Sequence, residues 1–442
     1  MRIRPLLLAA LLVVSAASHA RAADEPSIAS LTASARRAGL RVLQGDHLTL
    51  ITDRPVRAGD GVEDLPRIFD AAWKTWCQHF DLDLAAHREW RACGCLVVDR
   101  ERFREAGLLP DAIPDFANGF CDRHRFWMAD QSNPAYRRHL LLHEGVHAFT
   151  ITLRGLNTQP WYLEGIAEYL ATHRLDADPA PEQSTTGFVS TPMPSRSTDV
   201  EQLGRIEMLR GLKPGTCPGL DDVFATPAAN HGDLSAYAAS WAAVALLSLH
   251  PAHAPTFATV QRGSLDADFT ERLVHAPGWD AARASRDFDA FLSELDYGYD
   301  FNRSQIDWSS GRPLDVRQQA LVGGDQGWQH SGWSVSKGDR YTLRATGRCT
   351  IGRLPEMALE SEADGISLRW YRGRPLGRLL LSQWVHGDTA ADRPRFAVLA
   401  EGATGEFRAM TDGVIYLKIN EPPGELADNA GRLTVELAPL KQ

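Results

Sequence analysis

His143-Glu144-Gly145-Val146-His147 spaces two imidazoles four residues apart, with a carboxylate between them. On a helix, positions i and i+4 share a face, so His143 and His147 can grip one ion together. Glu144 then stands one position round, beside that ion but off the ligand axis, where a general base for a water belongs. The segment Trp161-Tyr162-Leu163-Glu164-Gly165-Ile166-Ala167-Glu168-Tyr169 offers Glu164 as a third donor from a separate helix. Two His and one Glu, with a fourth position open to water, make a catalytic zinc set. The chemistry implied is hydrolysis: the ion acidifies a water and polarises a carbonyl. Glu144 takes the water's proton and returns it to the leaving amine.

The elements needed to position these residues are helices. Ser132-Asn133-Pro134 reads as an N-cap followed by a first-turn proline. Leu140, Leu141, Leu142, Val146 and Phe149 supply a broad apolar face, which places the motif inside a buried helix. Asn157 and Thr158 ahead of Pro160 start the second helix by the same rule. Buried His and Glu are costly without partners, and a metal ion removes that cost. Glu164 and Glu168, four apart on one face, repel each other unless a cation sits at Glu164. Glu168 is then free to accept a hydrogen bond from the outer ring nitrogen of His143. His139 lies on the same stripe, but at about 1.5 Å rise per residue it is about 12 Å from His147, too far to share an ion. It reads as a helix-face histidine with hydrogen bonds of its own.

His143-Glu144-x-x-His147 followed by Trp-Tyr-Leu-Glu-Gly-Ile-Ala-Glu-Tyr resembles the gluzincin metallopeptidases, the group of thermolysin-like and M1 aminopeptidase-like enzymes. The match covers roughly residues 135–175. It implies an α+β zincin-like catalytic domain, with Glu164 as third zinc ligand and Glu168 as the acidic residue one turn later. Related enzymes often carry an oxyanion-donating Tyr on a downstream helix, a role that falls here to Tyr237. A Tyr packed beside Trp241 is the other use of that position. The Gly-x-Met-Glu-Asn substrate motif of M1 aminopeptidases is missing, and the interval from His147 to Glu164 is slightly shorter than theirs. A metzincin is excluded, because Thr150 and Leu153 stand where Gly and His are required.

The ends of the chain bear on compartment. Arg2 and Arg4 precede an apolar run from Leu6 to Ala17, and Ala20-Arg21-Ala22 offers a small-x-small cleavage site. This pattern predicts a signal peptide over 1–22 and a secreted or periplasmic protein without a membrane span. Removing it takes three arginines and no acid, moving the formal net charge from -9 to -12. Acidity without a basic block argues against nucleic acid. Of the 6 cysteines, Cys77, Cys93, Cys95 and Cys121 cluster ahead of the zinc motif. Disulfides from Cys93 and Cys95 to Cys77 and Cys121 are expected in an oxidising compartment, with Cys217 and Cys349 left over.

The expected domains are 23–130, the α+β part of the catalytic domain; 131–305, its helical zinc-site part; and 306–442, an all-β sandwich. Leu40–Leu43 with His47–Thr52 reads as a hairpin, and Cys95–Asp99 as a buried strand. Leu65–Phe80 has helical periodicity. The alternating run from Gly119 to Met128 is either an internal strand or an edge strand that receives an extended peptide. Leu175–Val200, rich in Pro, Ser and Thr, should be a loop near the cleft. From Trp328 onward, short alternating strands separated by Gly, Asp and Pro predict the sandwich. The segment Asn420-Glu-Pro-Pro-Gly-Glu-Leu-Ala-Asp-Asn-Ala-Gly431 resembles the calcium loop of the small galactophilic lectins of bacteria. That resemblance spans most of residues 325–440. It implies side-chain ligands from Glu421, Asp428 and Asn429 and main-chain carbonyls from Ile351 and Glu425, an oxygen set suited to Ca2+. Glu421 stands where those lectins carry Asp, and Ser361 and Asp364 replace their sugar-contacting His and Gln.

The sequence thus points to an exported zinc peptidase acting on a peptide or protein substrate, with a lectin-like accessory domain able to hold a glycan. Two other readings fit the same residues: a carbohydrate-binding surface protein on an inactive zincin scaffold, and a zinc hydrolase of non-peptide amides.

Overall fold

The computed structural model describes residues 26–57, 59–176, 187–200, 204–212, 217–227, 234–354, 357–386 and 393–440. The expected signal peptide, 1–22, lies outside the described residues, as does 177–186 of the Pro- and Ser-rich stretch. The chain is mixed α/β with a sheet-rich C-terminal region. It divides into two compact units, the first made of residues up to 205 with 222–245 and 256–279, the second of 206–221, 246–255 and 280–442.

The first unit begins with α1 (Ile28–Arg37), the hairpin β1 (Arg41–Gln44) and β2 (Leu48–Thr52), α2 (Leu65–His79), β3 (Ala92–Val97) and α3 (Arg100–Glu105). A second hairpin, β4 (Gly119–Asp122) and β5 (Arg125–Ala129), leads into helices α4 (Pro134–Arg154) and α5 (Pro160–Ala171). The strands form one sheet in the order β1-β2-β3-β5-β4. The inner pairs β2/β3 and β3/β5 are parallel, and both outer pairs are antiparallel. The alternating run over 119–128 is therefore a hairpin rather than one strand, and β4 is the edge of the sheet. A small pair, β6 (His173–Leu175) and β7 (Phe188–Ser190), follows α5.

Strand alternation sends successive side chains to opposite faces. Cys93, Cys95 and Trp127 join Leu31, Ala35 and Phe103 in a core on the face of α1 and α3. Phe126 points the other way and stacks on Phe69 of α2, with ring centroids 6.3 Å apart. Cys121, the register partner of Phe126, shares that second face. This alternation corrects the disulfide expectation: all 6 cysteines are free. Cys93 and Cys95 are separated from Cys77 and Cys121 by the thickness of the sheet.

Helices α6 (Arg205–Gly211), α7 (Leu220–Phe224), α8 (Leu234–Leu249), α9 (Ala254–Arg262), α10 (Phe269–Val274) and α11 (Ala281–Glu294) come next. The remaining strands are β8 (Arg312–Pro313), β9 (Gln318–Gly323), β10 (Gln329–Val335), β11 (Arg340–Leu354), β12 (Met357–Ser361) and β13 (Asp364–Tyr371). They continue through β14 (Arg374–Val385), β15 (Arg395–Glu401), β16 (Thr404–Arg408), β17 (Gly413–Ile419) and β18 (Ala430–Pro439). One sheet runs β13-β14-β17-β10-β8 with β15 on β14, and the other β12-β11-β18-β9 with β16 on β11. Leu343, Leu433 and Val435 of one sheet share a core with Leu379, Leu381 and Ile415 of the other, the arrangement of a β-sandwich. On the outer face, Ala290 of α11 packs against Leu380 and Tyr416.

Candidate metal centre

The site is built on α4, and its start is strongly specified. Asn133 caps the helix by accepting from the amides of Ala135 at 2.8 Å and Tyr136 at 3.2 Å, with Pro134 in the first turn. Arg137, buried, donates to Asp130 at 2.9 Å and ties that first turn to the end of β5. Gly155, at φ 62°, ends the helix in the left-handed conformation. Between these caps the helix is buried from His139 through Thr150 on every side. Its apolar residues fill the core while the polar ones must find partners.

α5 crosses beside α4 and is itself crossed closely. A Cβ on Gly165 would lie 2.6 Å from the Ser240 carbonyl oxygen of α8, so glycine there lets the α8 backbone approach. That approach brings Tyr237 of α8 to the site, its ring 6.2 Å from the ring of His143. Gln159, not Asn157 or Thr158, occupies the N-cap of α5, and its side chain makes no cap bond.

His143, His147 and Glu164 converge. The two Nε2 atoms are 3.1 Å apart, and Glu164 Oε2 lies 3.3 Å from the first and 3.5 Å from the second. Donors bound about 2.0–2.1 Å from a tetrahedral zinc stand about 3.3–3.4 Å from one another. The three protein atoms thus already form one face of such a tetrahedron, and the donor set fits the ion. Glu144 is buried on the neighbouring side. Burial pushes its carboxyl above the usual range, although the nearby His143 and His147 favour its charge. Its Oε2 has no hydrogen-bond partner among the described residues.

Glu168 holds the other side of His143. Its Oε1 is 3.3 Å from His143 Nδ1, and its Oε2 accepts from His139 Nε2 at 3.1 Å. Arg205 clasps the same carboxylate with Nε at 3.0 Å and Nη2 at 2.6 Å. Burial opposes charge on Glu168, but Arg205 and then His139 outweigh it and hold the carboxyl well below its ordinary value. Burial likewise opposes charge on His143, yet Glu164 and Glu168 together raise its imidazole to about 10. The pocket's carboxylates call for a positive partner at this ring.

One feature of the centre has no mark in the sequence. Arg205 is a lone arginine whose pairing with Glu168 spans 37 residues, and no local pattern marks it. His139 is the hydrogen-bonded helix-face histidine that its spacing implies, and its partner is Glu168, the carboxylate that also contacts His143. The i, i+4 spacing of His139 and His143 lets one carboxylate serve both rings.

A further buried group, His250, His253 and Asp287, stands in the second unit. Its donors are already engaged. Asp287 accepts from His253 at 2.8 Å and from Trp308 Nε1 at 2.7 Å, and His250 Nδ1 accepts the Ala252 amide at 3.2 Å. A metal-bound histidine normally donates from its second nitrogen, so His250 does not suit an ion.

In the 420–431 segment, Glu421 and Asn429 are buried and brought together: the Asn429 side-chain amide donates to Glu421 Oε2 and, at 3.1 Å, to the Gly324 carbonyl. Asn429 Oδ1 is buried without a partner among the described residues. Burial, then the charges of Glu425 and Asp428, raise the Glu421 carboxyl to about 8. Asp428 is exposed, and Glu425 is clasped by Arg369. Ile351 is buried in the sandwich core. Ser361 is also buried, donating to the Glu362 carbonyl at 2.8 Å, and Asp364 accepts the Ala403 amide at 2.8 Å.

No protein-family model matches the chain, and no curated protein does. Among solved structures, the N-terminal domain of EclA, described as a PllA-like lectin, is similar at 18% identity. The match covers 28% of this chain and 95% of that one, with a TM-score of 0.20. PliG of Aeromonas hydrophila, a periplasmic inhibitor of g-type lysozyme, is similar at 7% identity over 31% of this chain and 99% of that one, with a TM-score of 0.18. Among the described residues, no helix is long and apolar enough to cross a membrane.

Proposed function

We propose that the chain is an exported zinc-dependent metallopeptidase of gluzincin type, with a zincin-like catalytic domain and a C-terminal lectin-like accessory domain. The observation that carries the reading is the convergence of His143 Nε2, His147 Nε2 and Glu164 Oε2 at separations of 3.1–3.5 Å, with Glu144 buried alongside. These three residues would hold the ion. When bound, zinc supplies Lewis-acid polarisation of a carbonyl and lowers the pKa of a water.

The remaining work belongs to the chain's own groups. Glu144, its carboxyl already raised by burial, accepts the proton of the attacking water and returns it to the leaving amine. The Tyr237 hydroxyl donates to the oxyanion that develops on the substrate carbonyl. Glu168, fixed by Arg205, orients His143 through Nδ1. The β4 edge accepts an extended peptide by strand addition. In the lectin-like domain, Glu421, Asp428 and Asn429 would hold Ca2+, a use supported by the buried Asn429 Oδ1, which has no partner among the described residues. That domain would engage a glycan.

The test is metal content by mass spectrometry on the purified protein, with casein hydrolysis in parallel. One zinc per chain with hydrolysis supports the reading, whereas no zinc after reconstitution removes it and moves the weight to carbohydrate binding.

A further inference from the structure

Gly119 has no reason to be glycine that β4 itself provides. Glycine inside a strand weakens it and often marks close approach of another group. The φ of Gly119 is not in the left-handed region, so the backbone there is open to any residue. The reason lies on the face toward α4. Gly119 is paired with Met128 and Cys121 with Phe126, which sets the Gly119 Cα on the same face as Phe126. A Cβ on Gly119 would stand 2.6 Å from Cδ and 2.7 Å from Cγ of Glu144, and closer still to Oε1. Carbon atoms in contact rest about 3.5–4.0 Å apart. The Glu144 carboxyl therefore occupies the volume that a side chain at 119 would fill. Gly94 on β3 makes the contrast, since a Cβ there meets the Phe126 ring at 2.6 Å and its absence serves core packing.

We infer that Gly119 is a positioning residue for Glu144, its missing side chain forming the slot in which the carboxylate is seated. The consequence for turnover rests on the hydrolase reading; the seat itself does not. Glu144 is 3% exposed and Oε2 has no hydrogen-bond partner among the described residues, so the strand backbone is what bounds its position. The same residue faces the open edge. The Ala129 amide donates to the Asn118 carbonyl at 2.7 Å, which makes 119/128 the non-hydrogen-bonded pair. The Gly119 N–H and C=O point away from β5. A peptide strand added to β4 is thus registered against the residue that seats the base.

The experiment compares crystal structures of the full chain and of Gly119→Ala, with zinc content, unfolding midpoint and kinetics measured on both. The expected result is a Glu144 carboxyl displaced by about 1 Å or more, with His143, His147 and Glu164 unmoved, zinc retained and kcat lower by about 100-fold at nearly unchanged KM. A variant in which Glu144 keeps its place while β4 retreats overturns the inference, as does loss of zinc or of the fold. A wild type without zinc or hydrolysis defeats the hydrolase reading, and the displacement of Glu144 still decides whether Gly119 seats it.

Discussion

Arg205 donates to both carboxylate oxygens of Glu168, and Glu168 in turn contacts His143 Nδ1 at 3.3 Å. The guanidinium thus reaches the proposed zinc ligand through a single carboxylate. Partners of this kind are worth about 10–100-fold in metal affinity. Glu168→Gln and Arg205→Met are each expected to weaken zinc binding by that factor in chelator competition. The double variant should lose little more than either alone, since both act through one contact. Fully additive losses would mean the two residues act separately.

Removal of the base and of a ligand should give opposite signatures. Glu144→Gln keeps zinc and loses about 10²–10⁴-fold in kcat. His147→Ala loses the ion itself. Tyr237→Phe should lower kcat by about 10²–10³-fold with KM little changed, as for removal of an oxyanion donor. A Tyr237→Phe variant of full activity would assign Tyr237 to packing.

His173 makes the fold sensitive to acid. It is 3% exposed, its Nδ1 donates to the Ala171 carbonyl at 2.7 Å, and its Nε2 accepts from Arg138 at 2.8 Å. The ring must stay neutral, and burial above all lowers its pKa to about 3, with Arg138 contributing. The folded state therefore binds fewer protons than the unfolded chain between the unfolded value, about 6.5, and 3. Stability is fully present above pH about 6.5 and falls as pH drops, by at most about 1.4 kcal/mol per pH unit from this group. His173→Gln can keep both hydrogen bonds without the titration. Urea denaturation at pH 7.5, 6 and 5, run with chelator, should show a shallower loss in the variant.

Calcium is expected to stabilise the second unit. Saturation at about 100 times Kd adds about 2.7 kcal/mol, visible as a higher unfolding temperature. Glu421→Gln should abolish the gain, because it removes the buried carboxyl that gives up its proton to become a charged oxygen ligand when the ion binds. An equal calcium response in both proteins would place any ion elsewhere.

Much of the fold and of the candidate centre is written in local pattern. The 3.6-residue period sets His143 and His147 on one face, and Asn133-Pro134 marks where that helix starts. Two-residue alternation announced the strands of the second unit. These properties depend on neighbours within a turn or two, so the sequence alone determined them. Tertiary structure decided what lies across space. It chose Arg205 as the partner of Glu168 and placed Cys121 on the opposite face of the sheet from Cys93 and Cys95. It also gave Gly119 its meaning by bringing Glu144 against a strand 25 residues earlier. A carboxylate's need for a cation, or a glycine's need for space, can be read from residue type. Which residue answers it is settled only when distant segments pack.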